Sequence, residues 1–179
     1  MSKKLPSPNF HRKNGLSLPL DPLQVMTWFL TAAPAISLFA IQFPLLPRTQ
    51  TYFWIAIFLV CYVSGIILFV FATLCEHRLP PITSPDHAYF CKYCRMNVPL
   101  SAKHCRMCNK CRCGFDHHCK FINNCVTQSN YLQFFFGCLF FVSTCIIGLT
   151  HLFFSVNEFR FHKAFLLKRQ ADFYHRKPS

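Results

Sequence analysis

Charge is scarce in this chain. Asp, Glu, Lys and Arg make up 14% of its 179 residues, and only six of them are acidic. Hydrophobic residues reach 53%, with 22 phenylalanines among them. That balance excludes an ordinary soluble domain and belongs to a chain that uses lipid as solvent for much of its length. No removable signal peptide is expected. The N-terminus is polar and basic, and the first apolar stretch is too long for a signal h-region and has no clear cleavage site. No internal repeat and no low-complexity tract is legible.

The few charges that exist are mostly of one sign. Lys and Arg outnumber Asp and Glu by 19 to 6, a formal charge of +13. In a soluble protein this would point to nucleic acid. Here the positive charge lies outside the apolar runs, so anionic headgroups and the positive-inside rule account for it, and no nucleic-acid partner is expected.

Leu23 to Pro47 and Thr49 to Cys75 carry no charge, and Arg48 alone separates them. Each run exceeds the roughly 20 residues that cross a hydrocarbon core. They read as a tight helical hairpin, with Pro44 and Pro47 at its turn and a kink at Pro34. A third uncharged stretch ends at Asn157, and its apolar part is Tyr131 to Phe154. The expected fold is therefore an all-α polytopic membrane protein. A flexible polar tail covers 1–22, spans cover 23–47, 49–75 and 131–154, a loop-rich cysteine-rich domain covers 76–130, and a basic tail covers 155–179. Lys3, Lys4, Arg12 and Lys13 mark the N-terminal tail, and eight Lys/Arg lie in the loop, against Arg48 alone in the hairpin turn. The rule puts both basic segments in the cytosol and sends the C-terminal tail to the far side, although that tail carries Arg160, Lys163, Lys168, Arg169, Arg176 and Lys177.

Twelve cysteines suggest a disulfide scaffold, but eight of them lie between Cys91 and Cys125 at metal spacing. The segment should face a reducing compartment, the cytosol. Its pattern is Cys91-x2-Cys94-x9-His104-Cys105-x2-Cys108-x2-Cys111, then Asp116-His117-His118-Cys119, then Cys125. Cysteine pairs two residues apart place two sulfurs about 2.3 Å from one zinc ion. Cys91, Cys94, His104, Cys105, Cys108, Cys111 and Cys125, with one histidine of the His117-His118 pair, supply the ligands of two closed sites. The other histidine and Cys119 are left over beside Asp116. A histidine, a thiol and a carboxylate that hold no metal are the parts of an activated nucleophile.

This string, continued through Asn130 and Phe134, strongly resembles the DHHC family of protein S-acyltransferases, the palmitoyltransferases, over roughly residues 20–157. The resemblance implies one structural zinc on Cys91, Cys94, His104 and Cys111 and a second on Cys105, Cys108, His118 and Cys125. It makes Cys119 the nucleophile, His117 its base or imidazolium partner, and Asp116 the residue that orients His117. The implied reaction takes a fatty acyl group from acyl-coenzyme A onto Cys119 and passes it to cysteines of membrane-proximal, cytosol-facing substrate proteins. Arg95, Arg106, Lys110, Arg112 and Lys120 are the candidate contacts for the coenzyme phosphates. A sixteen-carbon chain gains about 0.8 kcal/mol per methylene on leaving water, and Trp28, Phe29, Phe53, Trp54, Phe134, Phe135 and Phe136 could line its slot. The implied location is the endoplasmic reticulum or Golgi membrane, alone or as a homo- or hetero-oligomer.

The chain departs from the family pattern in several places. Lys120-Phe121 stand where most members have Pro-Trp, Cys113 is an extra thiol, and Ser84-Pro85-Asp86 is a poor substitute for an Asp-Pro-Gly motif. A fourth span and a Thr-Thr-x-Glu motif are not found after Phe154, so the chain reads as a C-terminally truncated form. The alternative reading is a catalytically impaired short isoform that acts as a membrane-bound adaptor or regulator. A RING-type module needs a closing Cys-x2-Cys pair, and none follows Cys125.

Overall fold

The structure, a computed structural model, describes residues 11–42, 48–82 and 84–175. The expected turn at Pro44 and Pro47, the first ten residues, and Arg176 and Lys177 lie outside the described residues. Among the described residues there are three α-helices: α1 (Pro22–Ser37), which passes into a π-helical turn at Leu38–Gln42, α2 (Arg48–Leu74) and α3 (Tyr131–His175). All three are long and apolar enough to cross a membrane, over Pro22–Ala40, Tyr52–Leu74 and Tyr131–Gln170. Their outward faces are apolar, as lipid requires; Phe29, Phe71 and Leu132 are all more than three-fifths exposed. α3 is 45 residues long. At 1.5 Å per residue it extends about 67 Å, twice a hydrocarbon core, so the basic tail up to His175 continues the helix.

The described residues fall into two compact units. One runs through Leu30 and from Val63 to Phe140, and the other comprises Thr31–Tyr62 and Phe141 onward. The second unit packs Trp54 against His151 and Phe154, at ring separations of 6.0 and 6.2 Å, and stacks Phe58 on Tyr62. The first unit contains the cysteine-rich region.

The all-α expectation fails in that region. It contains six strands in three antiparallel hairpins: β1 (Ala88–Cys91) with β2 (Met96–Pro99), β3 (Ala102–Cys105) with β4 (Lys110–Cys113), and β5 (Phe115–Cys119) with β6 (Asn124–Thr127). The reason is local. A Cys-x2-Cys pair that points both sulfurs at one ion needs a tight turn, and a turn that reverses the chain pairs its two arms. Strands of four or five residues are too short to display a period-two pattern, and here Cys91, Cys105, Cys111, Cys119 and Cys125 share the buried positions with polar residues such as Arg112 and Asn124.

The hairpins also form a repeat. Cys91, Cys105 and Cys119 stand fourteen residues apart, each at the end of its hairpin's first strand. Their cross-strand partners Met96, Lys110 and Asn124 keep the same spacing. So do Arg95, Asn109 and Asn123, each with a left-handed backbone at φ 50–52°. Shifted by fourteen residues, Cys91, Cys94, His104 and Cys111 become Cys105, Cys108, His118 and Cys125. The expectation of no internal repeat is thus corrected: the repeat is written in residue identity and breaks only in its third copy, which has Ile122 where the first two have Cys94 and Cys108.

Candidate functional site

The ligand sets assemble as two separate clusters, Cys91, Cys94, His104 and Cys111 in one and Cys105, Cys108, His118 and Cys125 in the other. Within each, the donor atoms all lie within 4.8 Å of one another. Each takes its cysteine pair from one hairpin turn and its histidine and last cysteine from the next hairpin, where His104 pairs with Cys111 and His118 with Cys125. His104 Nδ1 lies 3.3, 3.8 and 3.9 Å from the sulfurs of Cys94, Cys111 and Cys91. His118 Nδ1 lies 3.3, 3.7 and 3.9 Å from those of Cys108, Cys105 and Cys125. A tetrahedron with metal–sulfur bonds of about 2.3 Å has edges of about 3.7 Å, so both donor sets fit zinc. Every cysteine is a free thiol. Cys113 packs beside the first cluster and is not one of its donors.

Cys119 lies outside both sets. It belongs to a small apolar core with Ala72 at the end of α2, Ile122 and Val126, against which Phe69 and Phe134 pack. The thiol is thus seated where two apolar helices meet the hairpin domain. Burial pushes its pKa up, while hydrogen bonds from the backbone N–H groups of Ile122 and Phe121 act the other way. These donors sit in the turn of the third hairpin, where the first two hairpins carry the cysteine pairs of the two donor sets.

His117 and His118 face opposite ways because neighbours on a strand alternate. His118 joins the second cluster. His117 shares its strand face with Cys119, its Nδ1 lies 3.2 Å from Asp116 Oδ2, and its ring meets Phe134 edge-on at 5.7 Å. Phe134 in turn meets Phe69. Of the aromatics expected to line an acyl slot, Phe134 is the one that packs on the Cys119 core among the described residues.

The five candidate phosphate contacts do not converge. Arg95 and Lys110 line a cleft of about 890 Å³ with Arg78 and His11. Arg106 lies over the ring of Tyr93, which stacks on His104, and Lys120 sits in the third turn. Arg112 is 1% exposed and donates to the carbonyls of His77 and Arg12, so its charge serves the fold instead of a ligand.

Asn124 and His77 secure the site and were not singled out by sequence, whereas Asn130 was named there as part of the family string. Asn124 Nδ2 donates to the carbonyls of Ala72, Thr73 and Cys75, which α2 leaves without helical partners at its end. Asn130 accepts from the Thr127 N–H and donates to the carbonyls of Cys125 and Ala72. Burial, then the charge of Arg112, pushes His77 down to about 4. Its neutral ring donates from Nε2 to the Cys125 carbonyl and accepts at Nδ1 from the hydroxyls of Thr127 and Ser129. The adjacent amides Asn123-Asn124, just before Cys125, were the one sequence signal for this arrangement.

A family model described as DHHC palmitoyltransferase matches residues 84–174. Palmitoyltransferase ZDHHC17 of Danio rerio is 44% identical over 64 residues, which is 36% of this chain and 10% of that protein. The probable palmitoyltransferase ZDHHC11B of Homo sapiens is 34% identical over 146 residues, 72% of this chain and 39% of its own length. Palmitoyltransferase SWF1 of Saccharomyces cerevisiae is 42% identical over 72 residues, 38% of this chain and 20% of its own length. The chain therefore spans well under half the length of each of these relatives.

Proposed function

The chain belongs to the DHHC palmitoyltransferase family, and from that premise we propose that it is a protein-cysteine S-acyltransferase whose nucleophile is Cys119. The observation that carries this reading is the broken repeat. Two hairpin turns spend their cysteines on metal donor sets, while the third keeps Cys119 but has Ile122 in the second donor position. The third turn is thus left with a thiol that has no metal partner, backbone N–H groups directed at it, and an apolar floor made by helix ends.

The chemistry is a double thioester exchange. The Cys119 thiolate attacks the carbonyl carbon of an acyl-coenzyme A thioester. A new carbon–sulfur bond forms, the bond to the coenzyme sulfur breaks, and the coenzyme leaves as a thiolate that takes up a proton. An acceptor cysteine, deprotonated in turn, attacks the acyl-Cys119 carbonyl and releases Cys119. One thioester replaces another at each step, so no oxidant or energy source enters. His117 accepts the thiol proton and Asp116 holds its Nδ1, a pairing supported by the 3.2 Å contact.

Two zinc ions, on the two four-donor clusters, hold the hairpins together and supply structure, not chemistry. The N-terminal segment and residues 76–130 face the cytosol of an endomembrane, endoplasmic reticulum or Golgi. There the substrates are acyl-coenzyme A and proteins with a cysteine close to the bilayer.

The test is metabolic labelling. Cells expressing the full chain are fed a clickable fatty acid, and hydroxylamine-sensitive label on the chain is measured. Cys119→Ser should remove that label while leaving two zinc ions per chain. Label that survives Cys119→Ser would overturn the assignment of the nucleophile.

A further inference from the structure

The first two hairpin turns are tied by metal donors. The third is not, because Ile122 stands where Cys94 and Cys108 stand in the others. Something else must fix it, since its tip is more thoroughly buried than theirs. Ile122, Asn123 and Asn124 are 1%, 2% and 0% exposed. Asn123 also holds a left-handed backbone at φ 50°.

The fixing element is the segment 11–19, expected from sequence to be part of a flexible tail. Gly15 is its pivot. The Gly15 N–H donates to the Thr73 carbonyl at 2.8 Å, and the Gly15 carbonyl accepts from Gln24 Nε2 at 2.9 Å and from Asn123 Nδ2 at 3.3 Å. The Pro19 carbonyl accepts from the same Asn123 amide at 3.3 Å. The approach at Gly15 leaves no room for a side chain, because an added Cβ would lie 2.1 Å from the Ile122 carbonyl oxygen and 2.7 Å from Thr73 Cγ2. Arg12 closes the segment on itself. Its guanidinium donates to the carbonyls of Ser17 and Pro19, its N–H donates to the Cys108 carbonyl at 3.0 Å, and its own carbonyl accepts from buried Arg112. The same few residues therefore touch the second hairpin turn, the third hairpin turn and the end of α2.

We propose that residues 11–19 take the place of the missing metal at the third hairpin: they form a clasp that holds the Lys120–Asn123 turn in shape around the Cys119 sulfur, with Gly15 and Asn123 as its positioning residues. Neither side chain reaches the reacting atoms. The clasp acts by keeping the N–H groups of Phe121 and Ile122 on the sulfur and the sulfur in one place. Its catalytic consequence rests on the acyl-transfer reading above, whereas its structural consequence does not.

The test uses the full chain in lipid nanodiscs, with Gly15→Ala and Asn123→Gly. The second variant accepts the left-handed backbone and deletes only the amide. Three readouts are taken: zinc per chain, hydrogen exchange of the three hairpin turns, and the rate of acyl loading on Cys119 against palmitoyl-coenzyme A concentration. Zinc should be unchanged. Exchange should rise in residues 120–124 and stay as it was in 92–95. The maximal loading rate should fall by about tenfold, as expected when a nucleophile loses its orientation, with KM for palmitoyl-coenzyme A unchanged. If Gly15→Ala fails to fold, Asn123→Gly decides alone. Unaltered exchange at 120–124, or a rise in KM at constant maximal rate, would overturn the clasp, as would zinc loss in Asn123→Gly. If the unsubstituted chain never loads Cys119, the acyl-transfer reading fails, and the exchange measurement still decides the clasp.

Discussion

Replacing each histidine of the adjacent pair with alanine should have opposite consequences. His118 lies directly across from Cys125 in the β5–β6 ladder, with Nδ1 3.3–3.9 Å from three sulfurs. A structural zinc in a small domain is worth about 10–16 kcal/mol of folding free energy. Shared over four donors, one ligand accounts for roughly 3 kcal/mol, about a hundredfold in metal affinity. His118→Ala should therefore bring zinc from two ions per chain towards one and open Cys105, Cys108 and Cys125 to alkylation. His117 has a side chain 48% exposed, a hydrogen-bonding contact with Asp116 and an edge contact with Phe134. An exposed pair is worth at most about 1 kcal/mol and a ring contact about as much. His117→Ala should thus keep both metals and the fold while thioester formation at Cys119 falls. Elemental analysis of purified chain, paired with alkylation mapped by mass spectrometry, reads both variants. Loss of zinc from His117→Ala with two ions retained in His118→Ala would refute the division of labour between the two faces of β5.

Arg112→Ala should destabilise the hairpin domain by about 3 kcal/mol, since it deletes two charge-assisted hydrogen bonds at a site 1% exposed; limited proteolysis at constant zinc content measures it, and wild-type resistance would count against the buried role. A strong chelator should remove both metals and unfold the hairpins while helical circular dichroism persists, because α1, α2 and α3 bond within themselves; collapse of the helices along with the metal would contradict this. Glycosylation mapping should put residues 76–130 on the cytosolic face and the segment from 155 onward across the membrane, and a cytosolic C-terminal segment would mean that α3 does not cross.

The sequence by itself determined the parts of this protein that depend on composition and on short covalent spacing. Charge-free runs longer than a bilayer core become helices because lipid offers the backbone no other partner. Cysteines two residues apart fall into donor sets that fit a metal because one turn suffices to bring them together. The leftover thiol and the carboxylate–histidine pair were legible for the same reason, since Asp116, His117, His118 and Cys119 are contiguous and a strand's alternation separates the two rings. Only the tertiary structure decided what depends on residues far apart in the chain. Arg112 read as a candidate phosphate contact, but its guanidinium lies between the carbonyls of His77 and Arg12, which no local pattern can specify. The fourteen-residue repeat stands in the sequence as Cys91, Cys105 and Cys119 and as His104 and His118, but its third copy breaks at Ile122, and the shared left-handed backbone at Arg95, Asn109 and Asn123 exists only in the fold. The segment 11–19 read as a free tail because its hydrogen-bond partners lie some sixty to a hundred residues away, at Thr73, Cys108 and Asn123. Its one sequence trace is a glycine, and the demand on that glycine is the closeness of the Ile122 carbonyl, a distance that exists only once the chain has folded.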